Sequence, residues 1–185
     1  MTNNGGNDMF REMRRTKQAL SREEIIEVLK KETRGVLSVQ GDDGYPYGLP
    51  INHFYDEETD KLYFHGATFG HRVDAMKRDP KVSYCVFGQD YQEGSDWAKY
   101  VKSVIIFGKV QLIENAGEIE KWSRKLCSKF PCPQEYVEQE IEKDTKNTLC
   151  FSITIEDING KLVHEAEGSD SGPSARSSSG PSLFL

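Results

Sequence analysis

Lys61-Leu62-Tyr63-Phe64-His65-Gly66-Ala67-Thr68-Phe69-Gly70-His71-Arg72 is the stretch on which the fold turns. Lys61 to His65 is a short apolar-rich run with strand character, and Gly66 to Gly70 supplies small residues for a bend. His71 to Arg78 then reads as a short helix, stopped by Asp79-Pro80, because the residue before a proline is pushed away from the helical region. The first amide groups of a helix lack intrahelical acceptors, and the helix dipole is positive at that end, so such a junction attracts anions. His71 and Arg72 would add charge and a forked donor at the same point. A phosphate-bearing ligand is one reading of the stretch. An ordinary strand-turn-helix junction with two solvated basic residues is the other, and both stay open on these residues alone.

Reading towards the N-terminus, Ser21-Arg22-Glu23-Glu24 has the spacing of a capping box, with Leu20 and Ile25 placed for a hydrophobic staple. The helix it opens is expected over Arg22 to Glu32. A strand follows at Gly35 to Gln40, then a tight turn at Gly41-Asp42-Asp43-Gly44. Tyr45 to Tyr55 is read as one strand. Pro46 and Pro50 make it an edge strand or a bulged one, since proline cannot donate to a ladder. Towards the C-terminus, strands are expected at Val82 to Phe87 and Tyr100 to Ile113. Asn115 with Glu118 marks a helix start, and Ile119, Trp122, Leu126 and Phe130 form its apolar stripe. A short helix at Pro133 to Lys143 precedes a last strand at Leu149 to Ile155. Asn159-Gly160 is a turn signal, with Lys161 to His164 as a short pairing segment beyond it. The sum is a mainly β protein with flanking helices (α+β), built on six strands. Tight early turns imply antiparallel pairing, and a closed or nearly closed barrel is the simplest way to remove sheet edges.

The net charge of −6 argues against non-specific nucleic-acid binding, which needs a basic face. It leaves room for a local anion site, because nearby charges set the local field. Cys85, Cys127, Cys132 and Cys150 form no CxxC pair and no zinc pattern, so free thiols in a reducing cytoplasm are expected. No apolar run approaches the roughly 18 residues that span a bilayer. Met1 to Asp8 lacks the order of a signal peptide, so a cytoplasmic location with no membrane partner is expected. Residues 1–8 read as a flexible N-terminus, 9–165 as one domain, and 166–185 as a disordered tail rich in Ser, Gly and Pro.

Four motifs in this order carry a likeness to a known family. They are Gly-Tyr-Pro-Tyr-Gly-Leu-Pro-Ile-Asn-His from Gly44, Leu-Tyr-Phe-His-Gly-Ala from Leu62, Gly-His-Arg from Gly70, and Ser-Val-Ile-Ile-Phe-Gly from Ser103. Between about Met9 and Val163 the chain resembles the FMN-binding split-barrel proteins, the pyridoxamine 5′-phosphate oxidase-like group. Within that group it is most similar to the nitroimidazole-resistance type of flavoprotein. The resemblance implies a six-stranded antiparallel split β-barrel and a homodimer that holds FMN between its subunits. It implies that Ile51, Asn52 and His53 line the isoalloxazine, that His65 and Gly66 lie beside the ribityl chain, and that Pro50 and Ala67 also bind the cofactor. His71 and Arg72 fall at the phosphate clamp. Ser103 falls where the oxidases set a glutamine against the ring, and Tyr100 and Trp97 are candidates to cover it from the partner subunit. Trp97 as a simple loop cap is the alternative.

Two departures bear on the substrate. Ile105 stands where the oxidases place an arginine, and the arginine-rich ending that holds pyridoxine phosphate is missing. Each lost charge-assisted contact would cost about 1.5–3 kcal/mol, so pyridoxamine phosphate oxidation is not the expected activity. An FMN-dependent oxidoreductase acting on small electron-poor molecules, of the nitroaromatic or quinone type, is. His71 is the candidate catalytic residue, with phosphate binding as its rival role and His53 and His65 as other candidates. A non-catalytic flavin or haem carrier, a deazaflavin enzyme and an oligonucleotide-binding barrel are the competing classes. No metal ligand set is expected.

Overall fold

In the computed structural model, residues 10–92, 94 and 99–163 are described. The N-terminal segment 1–8, the tail 166–185, Trp97 and His164 lie outside the described residues. Seven strands form one antiparallel sheet: β1 (Arg34–Gln40), β2 (Pro46–Asn52), β3 (Phe54–Asp56), β4 (Lys61–Ala67), β5 (Lys81–Phe87), β6 (Val101–Ile113) and β7 (Thr148–Val163). The helices are α1 (Arg22–Lys31), α2 (His71–Arg78), α3 (Ala116–Cys127) and α4 (Gln134–Asp144). The capping box forms as the sequence suggests: Glu24 N donates to Ser21 Oγ (3.2 Å), and Ser21 N donates to Glu24 Oε2 (2.9 Å). Asn115 caps α3 by accepting from Glu118 N at 3.1 Å.

The sheet order is β2-β1-β5-β6-β7-β4-β3. Its two ends, β2 and β3, are consecutive in the chain, and His53 alone separates them. Consecutive Cα atoms are about 3.8 Å apart, so a single linking residue forces the two ends of the sheet together. The sheet must therefore curl on itself, and it does so as a split barrel. Six strands were expected; there are seven, because the run from Tyr45 to Tyr55 changes sheet partner at His53. Main-chain N–H of His53 donates to Thr33 O (3.2 Å), outside the ladder of either neighbour.

The alternation of β1 and β5, buried at every second residue, fills the interior. Leu37, Tyr84, Val86, Val104, Ile106, Leu62, Phe64, Phe151 and Ile153 are its fully or almost fully buried members. Phe64 stacks on Phe151 (4.9 Å) and meets Tyr84 edge-on (5.1 Å). α1 lies against this core through Ile25, Val28 and Leu29. Asn159-Gly160 is not a turn: β7 runs straight through it. Gly160 is buried under α1, and a Cβ there would lie 2.5 Å from Ile25 Cγ1 and 2.9 Å from Leu20 Cβ. The glycine is thus kept for close approach of helix to strand rather than for a bend.

Trp122 of α3 stacks on Tyr63 of β4 at 3.4 Å, and Lys125 reaches the buried carboxylate of Asp56 at 2.7 Å. These contacts fasten α3 to the β3–β4 hairpin. No helix among the described residues is long and apolar enough to cross a membrane.

Candidate functional site

β4 ends at Ala67, the chain bends through Thr68 to Gly70, and α2 begins at His71. Gly70 is the N-cap residue, with φ of 117°, a left-handed conformation that glycine adopts without strain. No side chain caps α2. Val73 N and Asp74 N both donate to Gly70 O, at 2.8 and 3.1 Å. The start of the helix is left open towards solvent, and Arg72 stands beside it.

Arg72 is the least satisfied group in this region. Its Nε is buried and has no hydrogen-bond partner among the described residues. The guanidinium lies on the backbone of Gly66, where an added Cβ would be 3.2 Å from Cζ and closer still to Nη2. Cζ is 5.7 Å from the centroid of the Phe151 ring. Burial lowers the pKa of Arg72 from its ordinary value, and Tyr47 offsets part of that effect. His65 is half-buried next to it, and its pKa is lowered by burial first and by the charge of Arg72 second. The ring is therefore neutral at physiological pH. An unpaired cation beside an uncapped helix start fits a phosphate group: the ligand would supply the acceptor that the chain lacks.

His71 faces the other way. Its ring stacks on Tyr47 of β2, with centroids 4.3 Å apart and planes 21° from parallel. Its Nε2 is 3.4 Å from Asp42 Oδ2. Asp42 Oδ1 also accepts from Arg78 Nη1 (3.1 Å), and Arg78 Nη2 donates to Gln40 O (2.8 Å) and Gly41 O (3.1 Å). The β1–β2 turn and both ends of α2 are thereby tied together. Tyr47 and Asp42 were not singled out by the sequence for this role. Tyr47 lies within the Gly-Tyr-Pro-Tyr motif and Asp42 within a turn signal, so both were visible, but no local spacing rule connects either to His71.

Of the sequence candidates, His65 and Gly66 lie beside Arg72, Ala67 ends β4, and His71 turns to Tyr47 and Asp42. The remaining candidates lie elsewhere in the same chain. Pro50 is exposed on the edge strand β2, and Asn52 Oδ1 accepts from Arg34 Nε at 2.8 Å. Ile51 is buried, and its carbonyl faces the Tyr84 hydroxyl at 2.9 Å. His53, expected beside a flavin, has its side chain fully buried in the core. His53 Nε2 is 2.9 Å from Leu29 O, which can only accept, so Nε2 carries the hydrogen. Nδ1 then lies, like Ile51 O, 2.9 Å from the Tyr84 hydroxyl, whose single hydrogen the two acceptors share. Burial holds this ring neutral, with its pKa down to about 3. Lys129 donates to Leu29 O at 3.0 Å and to Glu32 O, and its burial brings its own pKa to about 8. These residues close the barrel seam.

Tyr100 and Ser103 lie at the far end of the β6–β7 ladder. Ser103 pairs with Lys161, whereas His65 pairs with Cys150, which in turn faces Ile113. At ~3.3 Å per residue the two groups are roughly 30 Å apart along the strands. Ser103 Oγ points at Lys161 O (3.5 Å), and the Tyr100 ring stacks on Tyr91 at 5.6 Å. A cavity of about 270 Å³ opens at this end, lined by Val28, Glu32, Gly88, Tyr91 and Lys102 among others. No cluster among the described residues could hold a metal ion.

Gly66→Ala tests the packing of Arg72 directly. The new methyl group would displace the guanidinium, and retained anion binding requires that it stay. Flavin or phosphate affinity is expected to fall by about 1–2 kcal/mol, most of what loss of one charged hydrogen bond costs. Isothermal titration against the parent protein measures it, and equal affinity would mean that Arg72 is not the anion's partner.

The sequence has no significant match among curated proteins. Solved structures share the fold at low sequence identity. A candidate 5-nitroimidazole antibiotic resistance protein of Bacteroides thetaiotaomicron is 16% identical with a TM-score of 0.66, over 79% of this chain and 87% of that one. An FAD-binding protein of Mesorhizobium loti is 21% identical with a TM-score of 0.58, over 79% and 97%. A flavocytochrome of Azotobacter vinelandii is 17% identical with a TM-score of 0.66, over 94% and 87%. The family model for pyridoxamine 5′-phosphate oxidase matches residues 21–162, from the N-cap of α1 almost to the end of β7. That span takes in every strand and the whole β4–α2 junction, and by it the chain belongs to the pyridoxamine 5′-phosphate oxidase family.

Proposed function

We propose that this protein is a homodimeric flavoprotein that binds FMN and reduces small electron-poor molecules, such as nitroaromatics or quinones. The observation that carries the reading is the unpaired, buried Nε of Arg72 beside the uncapped start of α2. Similar folds are described as binding FAD or as flavocytochromes, and one as a candidate nitroimidazole-resistance protein, which supports a flavin rather than another phosphate ester. When bound, the flavin supplies two-electron chemistry; the chain positions it and sets the surrounding charge. Arg72 and the first amides of α2 hold the phosphate. Gly66 gives the guanidinium its space. Neutral His65 offers a hydrogen-bonding ring beside the clamp without adding charge. His71, stacked on Tyr47 and beside Asp42, would reach the phosphate or give a proton to the acceptor on turning away from Asp42.

A dimer accounts for the two separated groups of residues. Ser103 and Tyr100 of one subunit would complete the site begun by Arg72 of the other. The outer face of the sheet offers the surface for it. Pro50, Val36, Cys85 and Ile105 lie in one cross-strand row on β2, β1, β5 and β6. Phe87, Ile105 and Phe107 are exposed there at 58%, 44% and 39%, an apolar patch of the kind a partner subunit covers. Ile105 supplies no cation to a phosphorylated vitamin, so pyridoxamine phosphate is not the proposed substrate.

The purified protein should be yellow, release FMN on denaturation, and sediment as a dimer. Its flavin should bleach anaerobically with a reduced nicotinamide and recover colour on addition of a nitro compound. A flavin that no donor bleaches would mark a carrier instead. A colourless protein that takes up no flavin would reject the whole reading.

A further inference from the structure

We propose that Lys129 is a site of acylation by acyl phosphates, and that acylating it unfastens the end of α3 from α1. The proposal is independent of the flavin reading. Lys129 stands just past the end of α3, next to exposed Ser128, and its half-buried side chain reaches the last turn of α1. There Nζ donates to Leu29 O at 3.0 Å and to Glu32 O. Among the described residues no carboxylate lies within ion-pair distance of Nζ, and no third acceptor meets it. An ammonium has three hydrogens and an uncharged amine two. The two carbonyl oxygens therefore use every hydrogen of the uncharged form and leave its lone pair in the third position.

The surrounding groups set the charge of this nitrogen. The C-terminal end of a helix favours a cation, and the Glu32 carboxylate, on the residue that ends α1, does the same. Burial opposes both and outweighs them, bringing the pKa from 10.5 down to about 8. His53, which shares Leu29 O through Nε2–H, is uncharged, and Tyr84 beyond it is a neutral phenol. At neutral to slightly alkaline pH roughly a quarter of Lys129 is then a free amine, against about one in a thousand for a lysine of ordinary pKa. The lone pair of such a desolvated lysine attacks the acyl carbon. The bond from that carbon to the phosphate oxygen breaks, phosphate leaves with the electron pair, and the proton lost by nitrogen goes to water. The amide so formed has one N–H and no charge, so one of the two carbonyl groups loses its donor. The Lys129 charge also helps, after burial, to keep His53 unprotonated. Acylation thus acts on the barrel seam as well as on the contact between α3 and α1.

Incubation of the full chain with acetyl phosphate over a range of pH, followed by cleavage after glutamate and mass spectrometry, tests this. The stretch from Lys121 to Glu135 carries Lys121 and Lys125 as internal controls. Lys121 is exposed, and Lys125 is ion-paired with Asp56 at 2.7 Å. At pH of about 7.5 Lys129 should be acetylated at least about tenfold faster than either, its larger uncharged fraction being offset in part by burial. Its rate should level off above pH of about 8.5, while that of Lys121 keeps rising towards pH of about 10. Acetylation of Lys129 no faster than that of Lys121 overturns the assignment, and so does a rate that climbs with pH in parallel with that of Lys121. Acetyl phosphate should also lower the melting temperature of the parent protein and leave that of Lys129→Arg, which keeps donors for both carbonyl groups, unchanged. Equal lowering in the two proteins would trace the effect to other lysines and overturn the claim that Lys129 fastens α3 to α1.

Discussion

Arg72→Met is expected to weaken FMN binding by about 1.5–3 kcal/mol, roughly ten- to hundredfold, while the flavin-free protein melts no lower than the parent. The two halves of this result have one cause. The guanidinium is held over Gly66 and near Phe151 with its Nε buried and unpaired. A charge withdrawn from water without a partner costs folding free energy. Methionine has nearly the same reach and no charge, so it fills the space and removes the penalty. The ligand, in contrast, loses its charged donor. Equilibrium titration with FMN and thermal melting of the flavin-free form together measure both effects. A variant that loses stability and keeps affinity would make Arg72 an ordinary packing residue. Strain retained at a binding site at the expense of stability is common where a group must be ready for its ligand.

The second large effect concerns acid. His53 has an ordinary pKa of 6.5, which burial depresses to about 3 in the folded protein. Above the ordinary value neither state holds the proton, and the folded state has its full stability. As pH falls below 6.5, the unfolded chain takes up a proton that the folded chain refuses, so stability declines until the folded value near 3 is reached. By pH of about 4.5 the loss from this one ring is on the order of 2–3 kcal/mol. That corresponds to roughly 5–10 °C in melting temperature for a domain of this size. Carboxylates titrate in the same range, so the comparison is between the parent and His53→Gln. The variant should be less stable near pH 8 and should lose less on acidification. Parallel pH profiles for the two proteins would show that His53 is not the titrating group. Tyr84 and Leu29 hold its two ring nitrogens, so protonation of this ring would act on the seam.

Local signals revealed most of the elements. The capping box at Ser21, the Asn115 cap and the proline stop after Asp79 each depend on near neighbours, and each is where the residues imply. The β4–α2 junction was legible for the same reason. His53 was not. Within Ile51-Asn52-His53-Phe54-Tyr55 nothing marks a change of sheet partner, because that change depends on β7 filling the position next to β4. Asn159-Gly160 carried a turn signal that packing overrode, since α1 lies too close for any side chain at Gly160. Asp42 and Tyr47 meet His71 only because the β1–β2 hairpin folds back over the start of α2. The separation of Ser103 from Arg72 could not be seen either, as it depends on which end of a long ladder each occupies.

The single-residue link at His53 also orders events during synthesis. β4 can pair with its inner neighbour only after β7 exists, and β7 is the last strand in chain order among the described residues. Until then β1 and β2 form a hairpin whose continuation, β3 and β4, hangs without a neighbour. Pairings so distant along the chain are slow to form. A nascent chain stalled before Thr148 would therefore show an exposed apolar edge at Leu62 and Phe64, a natural target for chaperones, and release of the final segment would complete the barrel in one step.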